Sequence, residues 1–150
     1  MSINLPVGSA LYIDISSTST PSWQKISEHN RAPISLDPYR HEQTQRMANG
    51  SLRKIFIADK KTVSTSWSTL PSYTTMTVDG GYGAEDLRNF YLNKGKGSFK
   101  VKISYNGTRE EIFTAFFSNF SMTMTKRNVK DTGIVTPQEF WDVSISLEEV

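Results

Sequence analysis

The last twelve residues, 139–150, read EFWDVSISLEEV. Trp141, Val143, Ile145 and Leu147 take every second position, with Asp142, Ser144, Ser146 and Glu148 between them. A two-residue period belongs to a strand with one face in a core and one toward water. Chain ends usually fray, so so regular a strand here predicts partners on its flanks, either inside a sheet or closing one. Its expected neighbour is FSMTMTKR, 120–127, where Phe120, Met122 and Met124 alternate with Ser121, Thr123 and Thr125.

Working outward, the same alternation recurs. ALYIDISS (10–17) sets Leu11, Ile13 and Ile15 on one face, and KTVSTSWSTL (61–70) sets Val63, Thr65 and Trp67 opposite Ser64, Ser66 and Ser68. Asn49-Gly50 and Asn106-Gly107 are hairpin signals, the first suited to a type I′ turn because both residues tolerate positive φ. Lys60-Lys61 is read as a further turn. EIFTAFF (111–117) is apolar on both faces, as a doubly covered central strand would be. Ser118-Asn119 is a candidate bulge. GAEDLRNFYLNKGKG (83–97) is the single convincing helix: Ala84, Leu87, Phe90 and Tyr91 recur at helical spacing, acids open it, and Gly95 suits a C-terminal cap. Residues 17–37 are polar, proline-bearing and hold Trp23; they read as a long loop or arm, with a helical turn around Ser22–His29.

The expected architecture is one mainly β domain, 1–150. It is a β-sandwich or barrel of about seven strands with one flanking α-helix and long loops. Seventeen Lys and Arg against fifteen Asp and Glu leave a net charge of +2, too little to argue for nucleic acid on charge alone. The absence of cysteine excludes disulfides and thiolate metal sites. No apolar run reaches the ~18 residues of a membrane span. The first residues show no signal-peptide pattern, so synthesis in the cytosol is expected.

Chemical motifs are scarce. There is no GxSxG, HExxH, P-loop or GxGxxG. Gly80, Gly81 and Gly83 precede a helix, but Glu85 and Asp86 in its first turn would repel a phosphate. His29 and His41 lack carboxylates at metal-ligand spacing. Glu110 and Glu111 are adjacent and would point to opposite faces of a strand. An enzyme would need a pocket gathering Asp37, Asp79 or His41, which the spacing does not recommend. No catalytic, cofactor or metal residue is therefore assigned. Lys94, Lys96, Lys100 and Lys102 form one basic group; Arg40, Arg46, Arg53, Lys54, Lys60 and Lys61 form another. Lys beside exposed aromatics on a small barrel is the profile of a single-strand-binding fold; a solvated strand face is the plainer reading. Trp67 reads as core, whereas Trp23, with Ile26, either anchors its own loop or docks on a neighbour.

RMANGSLRKIFIADKKTVSTSWSTLP (46–71), VDGGYGAEDLRNFY (78–91) and the closing FWDVSISLEEV (140–150) together resemble the tail-tube superfamily of long-tailed bacteriophages, including tube-end and baseplate ring proteins. The resemblance implies a virion protein with no active site, assembled in the host cytoplasm into hexameric, stacked rings. Each subunit would give a sheet to a β-lined channel and keep its helix outside. Partners would be copies of itself, other tail or baseplate proteins, and DNA passing through without specific binding; no membrane is involved. Trp23, Ile26, Lys130, Ile134 and Val135, in the arm 17–37 and the loop 128–138, are the expected contacts between subunits. A channel wall should be neutral or acidic, so Lys100 and Lys102 would have to face outward or pair between subunits. The competing expectation is a small β-barrel that binds single-stranded nucleic acid.

Overall fold

The computed structural model describes residues 3–5, 9–16, 18–129 and 138–150. Its strands are β1 (Ile3–Leu5), β2 (Ala10–Asp14), β3 (Trp23–Lys25), β4 (Ile34–Arg46), β5 (Leu52–Pro71), β6 (Phe99–Ser104), β7 (Glu110–Val129) and β8 (Gln138–Glu149); the helix is α1 (Ala84–Leu92). All eight strands form one antiparallel sheet in the order β1-β4-β5-β8-β7-β6-β2-β3. Among the described residues the fold is mainly β with a single α-helix, as the sequence predicts, but the sheet is neither closed into a barrel nor split into a sandwich. It curls around one core and ends at two three-residue strands, β1 and β3.

The terminal strand lies mid-sheet. Val143 pairs with Trp67 of β5 and Met122 of β7, Ile145 with Thr65 and Phe120, and Leu147 with Val63 and Phe117. Val143, Ile145 and Leu147 are fully buried, so the period-2 reading and the predicted partner both hold. The expected bulge is present as a register shift between Phe117 and Asn119.

Three other readings are corrected. Lys60 and Lys61 do not turn the chain; they run through β5 opposite Tyr39 and Pro38. The pair stays extended because Lys61 reaches β7 with its ammonium, which lies 4.9 Å from the Phe113 ring centroid and bonds Glu111. The Asn49-Gly50 turn is not type I′. Only Gly50 has positive φ, while the Asn49 side chain accepts from the Ser51 amide at 3.1 Å. Finally, β7 is covered on one face only: Phe113 and Ala115 are buried, but Ile112 and Phe116 stand exposed on the other.

Nor do the described residues of the stretch 17–37 form a free arm. Where a helical turn is predicted, β3 pairs with β2, and residues 26–32 then strap across the core. The Ile26 amide donates to the Leu11 carbonyl at 2.9 Å, Trp67 Nε1 donates to the Ser27 carbonyl at 2.7 Å, and the Ala32 amide reaches Ser66 at 2.8 Å. These bonds satisfy backbone groups that a buried strap would otherwise leave unpaired. The segment from Ile34 onward is already β4.

Helix α1 closes the core over β6 and β7. Leu87 and Phe90 are buried, and the Phe90 ring meets Phe99 edge-on at 5.0 Å and Phe117 at 6.1 Å. The Asp86 carboxylate accepts from the Gly83 amide at 3.2 Å, capping the first turn. Any side chain at Gly83 would put its Cβ 2.5 Å from the Pro71 carbonyl oxygen, so the helix start can dock this closely only on glycine. Gly95 is not the cap. The helix ends at Leu92, and Gly95 instead leaves room for the Phe117 ring.

Candidate assembly interface

Among the residues expected to meet other subunits, Ile26 is 1% exposed and belongs to the subunit's own core. Trp23 is half-buried on β3, with Lys102 Nζ 5.1 Å from its ring and 4.5 Å from that of Tyr12. Lys102 also lies 3.7 Å from Glu110. Trp23 is thus held by its own body. Lys130, Ile134 and Val135 lie outside the described residues, as does most of the loop 128–138.

The chemical candidates separate in space. Asp37 and His41 border one hollow of about 640 Å³ with Tyr39, Lys60 and Glu148. Asp79 is elsewhere, in the glycine-rich approach to α1. There its carboxylate accepts from Ser27 Oγ, the Glu28 amide and the Gly81 amide, at 2.9, 2.9 and 3.1 Å, with Lys25 at 3.4 Å. Burial pushes Asp79 up, but these bonds outweigh it and hold the carboxyl below its ordinary value. The glycine segment is a latch for the strap, with its Gly81 amide already spent on a carboxylate. Among the described residues no group of three or more His, Cys, Asp or Glu is placed to hold a metal ion. Among the described residues no helix is long and apolar enough to cross a membrane, which says nothing of strands.

Two surfaces escape the sequence reading. The first is the distal half of the β4–β5 hairpin. β1 covers β4 only as far as Leu36, and β8 covers β5 only from Thr62. Beyond those points, residues 39–60 form a two-stranded ribbon whose edges no other described strand pairs with. Leu52, Ile55, Phe56 and Ile57 are 58–66% exposed on it, and Tyr39 is 59% exposed. The register sets Gln43 opposite Ile55 and Glu42 opposite Phe56, so apolar groups project from both faces. Ion pairs stiffen the ribbon: Arg40 grips Asp59 through two bonds of 2.7 and 3.2 Å, and Lys54 meets Glu42 at 2.8 Å. The bond from Arg40 holds the Asp59 carboxyl below its usual value. At the root, Glu111 accepts from Lys61 and from the Tyr105 hydroxyl, the latter at 2.6 Å. Burial and Glu111 push the Tyr105 hydroxyl up to about 12.

The second surface is the sheet face turned away from the core. Across β4, β5, β8 and β7 the register lines up Ser35, Ser64, Ser146 and Asn119 in one row, and Ser66, Ser144 and Ser121 in the next. Thr123 sits beside Asp142, and Asp37, Thr62, Glu148 and Phe116 complete a further row. The charges within these rows are acidic, and Lys60 on β5 and Lys100 on β6 border them on the same face. The alternating serines were legible in the sequence, but only the register shows that they become contiguous rows across four strands.

Compared with protein-family models and with curated proteins, the chain matches none.

Proposed function

We propose that this chain is a structural subunit that closes with copies of itself into a ring, as a tail-tube, tube-end or baseplate protein of a long-tailed bacteriophage. The observation that carries the reading is the set of hydroxyl-rich rows spanning β4, β5, β8 and β7, whose own charges, Asp37, Asp142 and Glu148, are acidic. Phosphate backbones are gripped by Lys and Arg, so a wall of Ser, Thr and carboxylates lets DNA pass without holding it. The helix packs on the opposite side of the sheet, where a tube's exterior would be. Ile112 and Phe116, exposed at the margin of this face, suit a seam with the next subunit. Heterologous contacts of this kind close into rings when the rotation closes.

Lys102 is compatible with this wall, since Tyr12, Trp23 and Glu110 already engage it. The same engagement leaves the single-strand-binding alternative with Lys100 as its exposed cation on β6. Sedimentation and electron microscopy of the full chain at high micromolar concentration test the proposal. Ring-shaped particles are expected; a protein that stays monomeric throughout, alone and in whatever assembly it purifies with, refutes it.

A further inference from the structure

The dipeptide Asn-Gly occurs twice, at 49–50 and at 106–107, and each copy caps a hairpin. Backbone geometry calls for glycine at both places, since φ is +88° at Gly50 and +87° at Gly107. The same lack of a side chain leaves each glycine nitrogen free to approach the preceding carboxamide. The two carboxamides are posed alike. Asn49 Oδ1 accepts from the Ser51 amide at 3.1 Å and the Ser51 hydroxyl at 2.7 Å. Asn106 Oδ1 accepts from the Thr108 amide at 3.1 Å and the Thr108 hydroxyl at 2.9 Å. Such bonds stabilise the oxyanion that forms when a nucleophile adds to Cγ.

The surroundings differ. Residues 41–57 are exposed throughout, and the Gly50 amide donates to the Met47 carbonyl at 2.9 Å, a bond within the turn itself. The turn at Asn106 is pinned to the subunit body. There the Arg109 amide gives Oδ1 a third bond at 2.8 Å, and the Gly107 amide donates at 3.2 Å to Oγ of the buried Ser104. The Arg109 guanidinium lies 4.7 Å from the Tyr105 ring, whose hydroxyl bonds Glu111. Opening that frees a glycine amide is therefore easier at the ribbon tip.

We infer that Asn49 is a site of spontaneous deamidation, from which the fold protects Asn106. The Gly50 nitrogen loses its proton to solvent base and bonds Asn49 Cγ. The Cγ–Nδ2 bond then breaks, and ammonia leaves with a proton returned by solvent. Water opens the resulting cyclic imide at either carbonyl, giving aspartate or isoaspartate, with no oxidation or reduction. The new carboxylate stands beside Arg46, which already reaches the Gly50 carbonyl at 2.7 Å. The iso product also adds a backbone methylene to the turn that sets the ribbon's register.

Peptide mapping by mass spectrometry after incubation in mildly alkaline buffer tests the inference, with isoaspartate read by enzymatic methylation. In the folded chain Asn49 should convert at least about tenfold faster than Asn106. In guanidinium-unfolded chain the two rates should converge, because the difference belongs to the fold. Asn49→Gln should abolish the fast conversion, since the longer side chain must close a larger ring, and Asn106→Gln should leave it intact. Equal rates in the folded protein, a faster Asn106, or a difference that persists on unfolding overturns the inference. So does an Asn49 that stays unchanged in folded protein while the unfolded chain converts.

Discussion

Two halves of β5 make the instructive contrast. From Val63 to Pro71 the strand has β8 beside it and the core beneath it, and Val63, Trp67 and Leu70 are buried. From Leu52 to Ile57 the same strand has β4 alone, and its aliphatic and aromatic side chains stand in water. Strand-forming residues fill both halves, so β propensity does not separate them; the presence of a third strand does. Apolar surface buried in the first half drives folding of the subunit. Apolar surface left bare in the second contributes nothing to that folding and is available to bind something else.

The contrast can be broken most forcefully from the buried side. Leu147→Ala removes a side chain enclosed between β5 and β7 and should cost about 2–5 kcal/mol, read from the denaturant midpoint. A loss under half of that range would mean the inner half is not the stability-determining core. Trp67→Phe deletes the indole donor to the Ser27 carbonyl and leaves that acceptor buried, for an expected loss of about 1–3 kcal/mol. An unchanged melting temperature would show that the strap over the core is not tied down as described.

A smaller effect follows from Asp14. Burial alone would raise its carboxyl, but bonds from the Ser16 and Ser22 amides, with Lys94 nearby, hold it below its ordinary 3.8. Its folded pKa being the lower one, its contribution is complete above 3.8 and disappears as pH falls through the folded value. Asp14→Asn should therefore lower stability at pH 7 and flatten the acid limb of a melting-temperature profile. A limb parallel to the wild type would contradict the assignment. The smallest effect belongs to the ribbon: Phe56→Ala should change subunit stability by no more than about 0.5 kcal/mol, measured on dilute monomer. A large destabilisation would mean the ribbon packs on its own body.

What the sequence disclosed follows the same divide. β8 and α1 were legible because their apolar periods are served by their own chain, and Leu147 and Leu87 report that directly. The strap was misread because its composition is polar, although Ile26 sits in the core and Trp67 bonds its backbone. Lys60-Lys61 resembled a turn because the aromatic and carboxylate that keep Lys61 extended lie on β7, about fifty positions away. EIFTAFF suggested cover on both faces, and the structure supplies one. Periodicity reports that Ile112, Phe116, Ile55 and Phe56 are apolar; it cannot say whether the cover comes from this chain or from another. The hydroxyl-rich face was hidden for a related reason, since its rows exist only once four strands are in register.

Amide hydrogen exchange along β5, in dilute monomer and in the assembled particle, tests most directly whether the bare half is an assembly surface. In monomer, residues 52–59 should exchange fast and 63–70 slowly; on assembly the first set should slow toward the second while the second stays put. Ribbon amides that exchange equally fast in a fully formed particle would contradict the claim.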